Sequence, residues 1–178
     1  MMKLKYKNKF KLGTIAFEEG NYQLAFGYYR EVLKYIDNND MNNNEYIKSC
    51  ILYNLGVCFL KLEEEWNKET KGNKDFSYQS YEYLSGAITY LKDALLITNN
   101  LLNNDNDLTV KDKERLINRK YKILFNLALS YARTGDMINS LAYATIANKY
   151  NVNNDEECLM LIEKSKEHLE SYINDNEL

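Results

Sequence analysis

The chain lacks proline altogether and contains one histidine and one tryptophan among its 178 residues. Proline inside a helix removes a backbone hydrogen bond and clashes with the preceding turn. Its complete absence therefore fits a chain built from long helices. The single histidine, His168, lies among charged residues on a predicted surface face, and no catalytic triad can be assembled around it.

Residue patterns that carry chemistry are also missing. The seven glycines are scattered, and none forms the Gly-x-x-x-x-Gly-Lys loop that cradles phosphates. The asparagine- and aspartate-rich run at 103–107 lacks the glycine and closing glutamate of a calcium loop. Glu63, Glu64 and Glu65 are consecutive, so on a helix they point in different directions. We therefore expect no enzymatic activity, no cofactor, no metal and no small-molecule substrate.

Three cysteines stand at positions that do not suit a disulfide or a zinc site. Cys50 and Cys58 are eight residues apart on one predicted helix, a rise of about 12 Å, which exceeds disulfide reach. No Cys-x-x-Cys pair or Cys/His spacing occurs. With Cys158, they are expected to be small buried residues in a reducing compartment.

Long apolar runs are absent too. The N-terminus carries positive charges with no apolar run behind them, unlike a secretory signal. No uninterrupted apolar stretch reaches the roughly 18 residues that a membrane span needs. A soluble, cytoplasmic protein is expected.

Charge is unevenly distributed along the chain. The net charge of -3 argues against a dedicated nucleic-acid binder. Five lysines occupy alternate positions within residues 3–11, whereas eight acids oppose two lysines from Asp155 onward. Both ends can be solvated helix faces. The alternatives are salt-sensitive head-to-tail self-association, or RNA or anionic-membrane binding through the lysines.

Three stretches repeat one template: a small residue in a first helix, a Gly-Asn or Gly-Asp turn, and an Ala or Ser in a second helix. The first contains Gly13, Gly20-Asn21 and Ala25. The third contains Ala128, Gly135-Asp136 and Ser140, and the second contains Gly56 and Ala87 separated by an insertion. Such self-similarity is typical of stacked helical hairpins.

Hydrophobic periodicity and turn signals predict about seven helices. Their approximate ranges are 5–19, 22–36, 44–66, 77–98, 109–133, 137–150 and 155–173. Asparagine clusters are assigned to connectors, including 99–108. Thr109 and Asp112 resemble a capping box. The last helix is predicted to bury one apolar side formed by Leu159, Ile162, Leu169 and Ile173.

Aromatic residues flank the insertion in the second repeat. They are Trp66, Phe76, Tyr78, Tyr81 and Tyr83. These rings can pack the two helix ends together, or they can form an additional binding surface.

The repeated template of small residues and Gly-Asn or Gly-Asp turns resembles the tetratricopeptide repeat (TPR) family. The resemblance implies an all-α fold of antiparallel hairpins stacked as a right-handed solenoid in a single domain, 1–178. Repeat 1 spans about 5–36, repeat 2 about 44–98 with an insertion at 67–76, and repeat 3 about 109–150. The capping helix spans about 155–173. The chain departs from the family in lacking the proline after each repeat, and its repeats are spaced wider than the usual period of about 34 residues.

Family members commonly bind a helix or extended peptide in a concave groove lined by the first helix of each pair. Mapped onto this chain, that groove combines aromatic and aliphatic side chains with basic ones. Its residues are Lys7, Phe10, Thr14, Phe17, Tyr53, Asn54, Val57, Leu60, Lys122, Phe125, Leu129 and Arg133. An apolar strip with basic neighbours suits a partner helix or an apolar peptide segment. Alternatively, the last helix covers part of it.

One TPR subclass holds the acidic tail of heat-shock chaperones with Lys, Asn, Asn, Lys and Arg. The corresponding residues here are Phe10, Thr14, Asn54, Lys122 and Asn126. Phe10 cannot supply the charged donor that fixes a carboxylate, so a co-chaperone role is not expected. The expected function is a non-catalytic interaction module or adaptor, and the alternative is a structural subunit of a larger assembly.

Overall fold

The computed structural model describes residues 2–38, 45–70, 77–104, 108–152 and 154–176. Within these ranges every regular element is an α-helix, which confirms the all-α prediction. The helices are α1 (Met2–Glu18), α2 (Tyr22–Asn38), α3 (Glu45–Glu69), α4 (Ser77–Asn103), α5 (Val110–Thr134), α6 (Met137–Asn148) and α7 (Glu156–Asn176). Backbone contacts group the chain into two compact units, Met1–Ile97 (unit 1) and Thr98–Leu178 (unit 2).

In unit 1, α1 and α2 form an antiparallel hairpin. Tyr6 stacks on Tyr35 near the open end, and Phe17 contacts Tyr22 beside the turn. Gly20 has a φ of +79°, a left-handed conformation that glycine adopts without steric cost. The turn predicted at this glycine is therefore confirmed.

Two small-residue positions of the repeat template let paired helices approach closely. A Cβ added at Gly13 would lie 2.8 Å from Cε1 of Tyr29, and one added at Gly56 would lie 2.7 Å from Cγ of Leu91. The side chains of α2 and α4 thus fill the space above these glycines. A larger residue at either position would push the two helices of its hairpin apart.

Helix α4 pairs antiparallel with α3 and extends beyond its predicted end. The Ser49 hydroxyl donates to the Ala94 carbonyl at 3.4 Å. The connector predicted at 99–108 is wrong for 99–103, which are helical. Asn99, Leu101 and Leu102 are half-buried there, so burial along α4 outweighs the turn preference of asparagine. Most of the insertion, 71–76, lies outside the described residues.

In unit 2, the Thr109 hydroxyl accepts a hydrogen bond from the Asp112 backbone N–H at 3.2 Å and donates to its carboxylate at 2.6 Å. This geometry confirms the predicted cap of α5. Gly135 has a φ of +83° and ends α5 as predicted. Helix α6 then lies antiparallel to α7, and the Ser140 and Ser165 hydroxyls hydrogen-bond at 3.0 Å.

The buried side of α7 agrees only in part with the predicted one. Leu159 is 48% exposed and Ile173 is 52% exposed, whereas Cys158 and Ser165 are buried against α6. Small side chains allow α7 to approach α6 closely. The size of these residues therefore determines which face of α7 packs, and the apolar periodicity that included Leu159 and Ile173 does not. Ile162 and Leu169 are half-buried beside them. None of the described helices combines the length and apolar character that crossing a membrane requires.

Candidate interaction surfaces

The predicted groove residues of α1 are partly engaged in packing within unit 1. The Phe10 ring lies 5.6 Å from the Tyr29 ring, and the Phe17 ring lies 5.2 Å from the Tyr22 ring in an edge-to-face contact. Both phenylalanines are half-buried, while Lys7 is exposed. Each phenylalanine therefore packs against the core and keeps only part of its surface accessible.

Thr14 and Asn54, also predicted for the groove, hold a buried tyrosine. The Tyr29 hydroxyl donates to Thr14 Oγ1 at 3.4 Å, and Asn54 hydrogen-bonds to the same tyrosine. Thr14 in turn donates to the Phe10 carbonyl at 3.2 Å. Burial raises the pKa of Tyr29, against the lowering effect of these two hydrogen bonds. The two side chains therefore serve the interior of unit 1.

The predicted groove residues of α3 have less free surface than expected. Tyr53 and Val57 are half-buried, but Leu60 is only 3% exposed and lies in the interior. Helix α3 packs against α2 through Cys58 and against α4 through Gly56, so few of its residues face solvent. Leu60 is corrected from a groove residue to a core residue for this reason.

The remaining predicted residues lie on α5 in unit 2. Lys122 is exposed, and Leu129 and Arg133 are half-buried. Phe125 is half-buried and stacks on Tyr121 with ring centroids 6.2 Å apart. Apart from the buried Leu60, the predicted residues on α1, α3 and α5 therefore retain at least partial exposure.

An open trough along α2, not predicted from the sequence, has a volume of about 800 Å³. Its lining residues recur at three- and four-residue spacing from Gln23 to Asn38, so the trough follows α2 for about 22 Å. We call this surface the α2 trough. It is lined by Gln23, Phe26, Gly27, Arg30, Glu31, Leu33, Lys34, Asp37, Asn38 and Tyr90.

An aromatic cluster anchors the floor of the α2 trough. The Phe26 ring lies 4.9 Å from the Phe59 ring, which stacks on Tyr90 at 5.8 Å. The Arg30 guanidinium lies 5.7 Å from the centre of the Phe26 ring, a distance at which a cation is attracted to the ring face. The trough thus has a fixed apolar floor and a charged rim.

Gly27 leaves the middle of this trough open. A Cβ added there would have no described atom within 4 Å. Glycine in the middle of a helix costs about 0.5–1 kcal/mol relative to alanine, so its presence on an exposed helix face was the sequence signal that could have indicated this surface.

A smaller hollow of about 350 Å³ lies in unit 2, between α5 and the segment that follows α6. Tyr121 and Tyr150 line it together with Ile117, Glu114 and other residues. The Tyr121 hydroxyl donates to the Asp155 carboxylate at 2.7 Å. Burial and then this hydrogen bond raise the pKa of Tyr121. The hydroxyl is therefore committed to anchoring the start of α7.

The aromatic residues around the insertion divide between the two alternatives. Tyr83 packs inward, with its ring 6.2 Å from that of Phe59, and Trp66 is half-buried. Tyr78 is 73% exposed and Tyr81 is 59% exposed, one turn apart on α4. Phe76 lies outside the described residues. The first two turns of α4 thus carry two exposed rings.

Side chains capable of chemistry are dispersed in the described part of the chain. No group of three or more His, Cys, Asp or Glu side chains is arranged there to hold a metal ion. His168 is exposed, and no disulfide joins the cysteines. Burial raises the pKa of the Cys58 thiol to about 12, so it is protonated and unreactive at neutral pH.

No protein-family model matches the chain, and no curated protein matches it with significant similarity. The arrangement of the molecule's own residues is therefore the basis for a functional proposal.

Proposed function

We propose that this chain is a divergent TPR-type array that binds a helix or apolar segment of another protein, acts as an adaptor in the cytoplasm, and catalyses no reaction. The glycine turns at Gly20 and Gly135 support the family assignment, as does the close helix approach at Gly13 and Gly56. The third repeat supports it through Ala128, which is fully buried at the equivalent position.

The α2 trough is the observation that carries the binding proposal. Its length of about four helical turns matches a short partner helix. Its floor presents Phe26, Leu33 and Tyr90, and its rim presents Arg30 and Lys34 beside Glu31 and Asp37. An apolar floor can bury the hydrophobic face of an amphipathic helix, while the rim charges orient it. The predicted groove on α1 and α3 is the alternative location for the same activity.

A matched pair of variants at Gly27 tests the α2 trough. Because the position faces open space, Gly27→Trp should fold and fill the trough, whereas Gly27→Ala should leave it open. Tagged proteins are used to capture partners from an extract of the source cells, with quantitative mass spectrometry. Partners retained by Gly27→Ala and lost by Gly27→Trp would support the proposal.

The double variant Phe17→Glu with Tyr53→Glu distinguishes the predicted groove from the α2 trough. Loss of the same partners in this variant, with binding retained by Gly27→Trp, would place the contact on α1 and α3. Helical circular dichroism must stay unchanged in each variant. Retention of every partner by both the tryptophan and the double variant would contradict the interaction-module proposal at these two surfaces.

A structural subunit is the second candidate function, and the scatter of exposed apolar side chains favours it. Tyr78, Leu96, Val110 and Ile138 are between 61% and 77% exposed and stand on three helices, α4, α5 and α6. A subunit buried in an assembly needs several such contacts, whereas an adaptor needs one. Stoichiometric copurification with the same neighbours under stringent washing would favour the structural role.

A further inference from the structure

The exposed face of α1 combines positive charge with apolar side chains. Lys7, Lys11 and Ile15 follow one another at four-residue spacing, so they form one row along the helix, and Leu12 lies beside it. Leu12 is 44% exposed and Ile15 is 38% exposed. Neither lysine forms an ion pair with a residue that the structure describes. Lys9 by contrast is paired with Glu31.

The outer face of α7, turned away from α6, combines negative charge with apolar side chains. Glu156, Glu163, Glu167 and Glu170 are all exposed and recur at intervals that place them on one side of the helix. Met160 is 56% exposed on this side, and Leu159 flanks it. None of the four glutamates forms an ion pair with a described residue.

We propose that a second copy of this chain is the partner of these two faces, with α1 of one copy docking on the outer face of α7 of another. The two faces are complementary. The lysine row is opposite in charge to the glutamate row, and Leu12 and Ile15 can pack against Leu159 and Met160. Opposite charges arranged in this way steer association and fix its orientation. Four partly exposed apolar side chains supply the surface to be buried.

Two consequences follow from the chemistry of this contact. The two faces are different, so the contact is heterologous, and one such contact leaves one α1 and one α7 at which further copies can add until a ring closes. The charges are exposed, so salt screens them within a Debye length of about 8 Å at physiological ionic strength. Association is therefore weakened by salt.

Sedimentation velocity of the full chain tests the proposal. At about 0.02 M salt the sedimentation coefficient should rise with protein concentration, and at about 0.5 M salt this rise should disappear. The variant Lys7→Glu with Lys11→Glu, and the variant Glu163→Lys with Glu167→Lys, should each stay monomeric alone. A mixture of the two variants should associate again, because each then meets a face of opposite charge.

Control variants separate this contact from general charge effects. Lys111→Glu with Lys149→Glu changes the net charge as much as the α1 variant, at exposed positions outside both faces and the α2 trough, and should associate like the unchanged chain. Gly27→Trp should also associate normally, so the proposal is independent of the α2 trough. The milder Lys7→Gln with Lys11→Gln should weaken association without reversing charge, and circular dichroism verifies folding.

Three results would overturn the proposal. The first is a monomer at every protein and salt concentration. The second is normal self-association of either charge-reversed variant. The third is a mixture of the two charge-reversed variants that stays monomeric while the unchanged chain associates.

Discussion

Two glycines on helices have opposite surroundings, which makes them a matched pair for testing residue-scale packing. At Gly56 an added Cβ would meet Leu91 at 2.7 Å and the Ala87 carbonyl oxygen at 3.3 Å, whereas at Gly27 it would meet open space. Gly56→Ala should therefore lower the free energy of unfolding by about 1–3 kcal/mol. Gly27→Ala should raise it by about 0.5–1 kcal/mol. Urea unfolding measures both changes.

Equal effects of the two alanine substitutions would contradict this account, since they would show that helix propensity alone decides the outcome. The same comparison tests the repeat template. Gly56 occupies the small-residue position that recurs in each repeat of the template. The loss of unfolding free energy on its substitution should reflect the close approach of α3 and α4.

Cys58 makes the free energy of unfolding depend on pH. Burial raises its pKa from 9.0 to about 12, so the folded state favours the neutral thiol. The contribution of the neutral thiol to the stability of the folded state is fully present below pH 9. It is lost as the pH rises from 9 toward 12. Between about pH 8 and about pH 10 the unchanged chain should lose about 1 kcal/mol more unfolding free energy than Cys58→Ala.

Buried tyrosines also titrate at high pH, but they are common to both proteins, so the difference isolates the thiol. Urea titrations at the two pH values provide the measurement. Parallel losses in the unchanged chain and Cys58→Ala would show that the thiol is not held neutral by burial.

At the scale of the element, a pair of buried hydroxyls joins α6 and α7. Ser140 and Ser165 are buried and hydrogen-bonded to each other at 3.0 Å. Removing one hydroxyl deprives the other of its partner, so Ser140→Ala and Ser165→Ala should each cost about 1–3 kcal/mol. The double variant should cost less than the sum. A double-mutant cycle from urea unfolding measures this coupling, and strict additivity would contradict it.

Helix ends were predictable where a local signal sets them, and not where packing does. Gly20, Thr109 and Gly135 carry turn or cap geometry in a few residues, and the structure places each as the sequence predicts. The end of α4 lies beyond the predicted one because Leu101 and Leu102 are half-buried, which no local signal records. The same holds for α7, where the small residues Cys158 and Ser165 lie against α6.

The candidate surfaces were predictable only in part, for a related reason. The exposure of Lys7 and Lys122 follows from their charge, but the burial of Leu60 follows from the position of α3 between α2 and α4. Thr14 and Asn54 fit the groove pattern by position, yet their hydrogen bonds go to Tyr29. A pattern locates a side chain along a helix, and the neighbouring helices decide whether it remains accessible.

At the scale of the whole molecule, charge is the property that sequence reading captured best. The lysines near the start and the acids near the end can be counted in the sequence, and the structure adds which of them are exposed and on which face. The α2 trough could not be found in this way. It exists because Gly27 leaves open the space above a floor that Phe59 and Tyr90 help to build from other helices.

The single tryptophan gives this protein a built-in optical reporter. Trp66 is half-buried near the end of α3, so fluorescence excited selectively in tryptophan, and not in the sixteen tyrosines, samples one place in unit 1. Circular dichroism samples all the helices. Recording both signals in one denaturant titration compares local melting with global melting without any label. Coincident midpoints would indicate one cooperative transition, and an earlier fluorescence change would show that the end of α3 opens first.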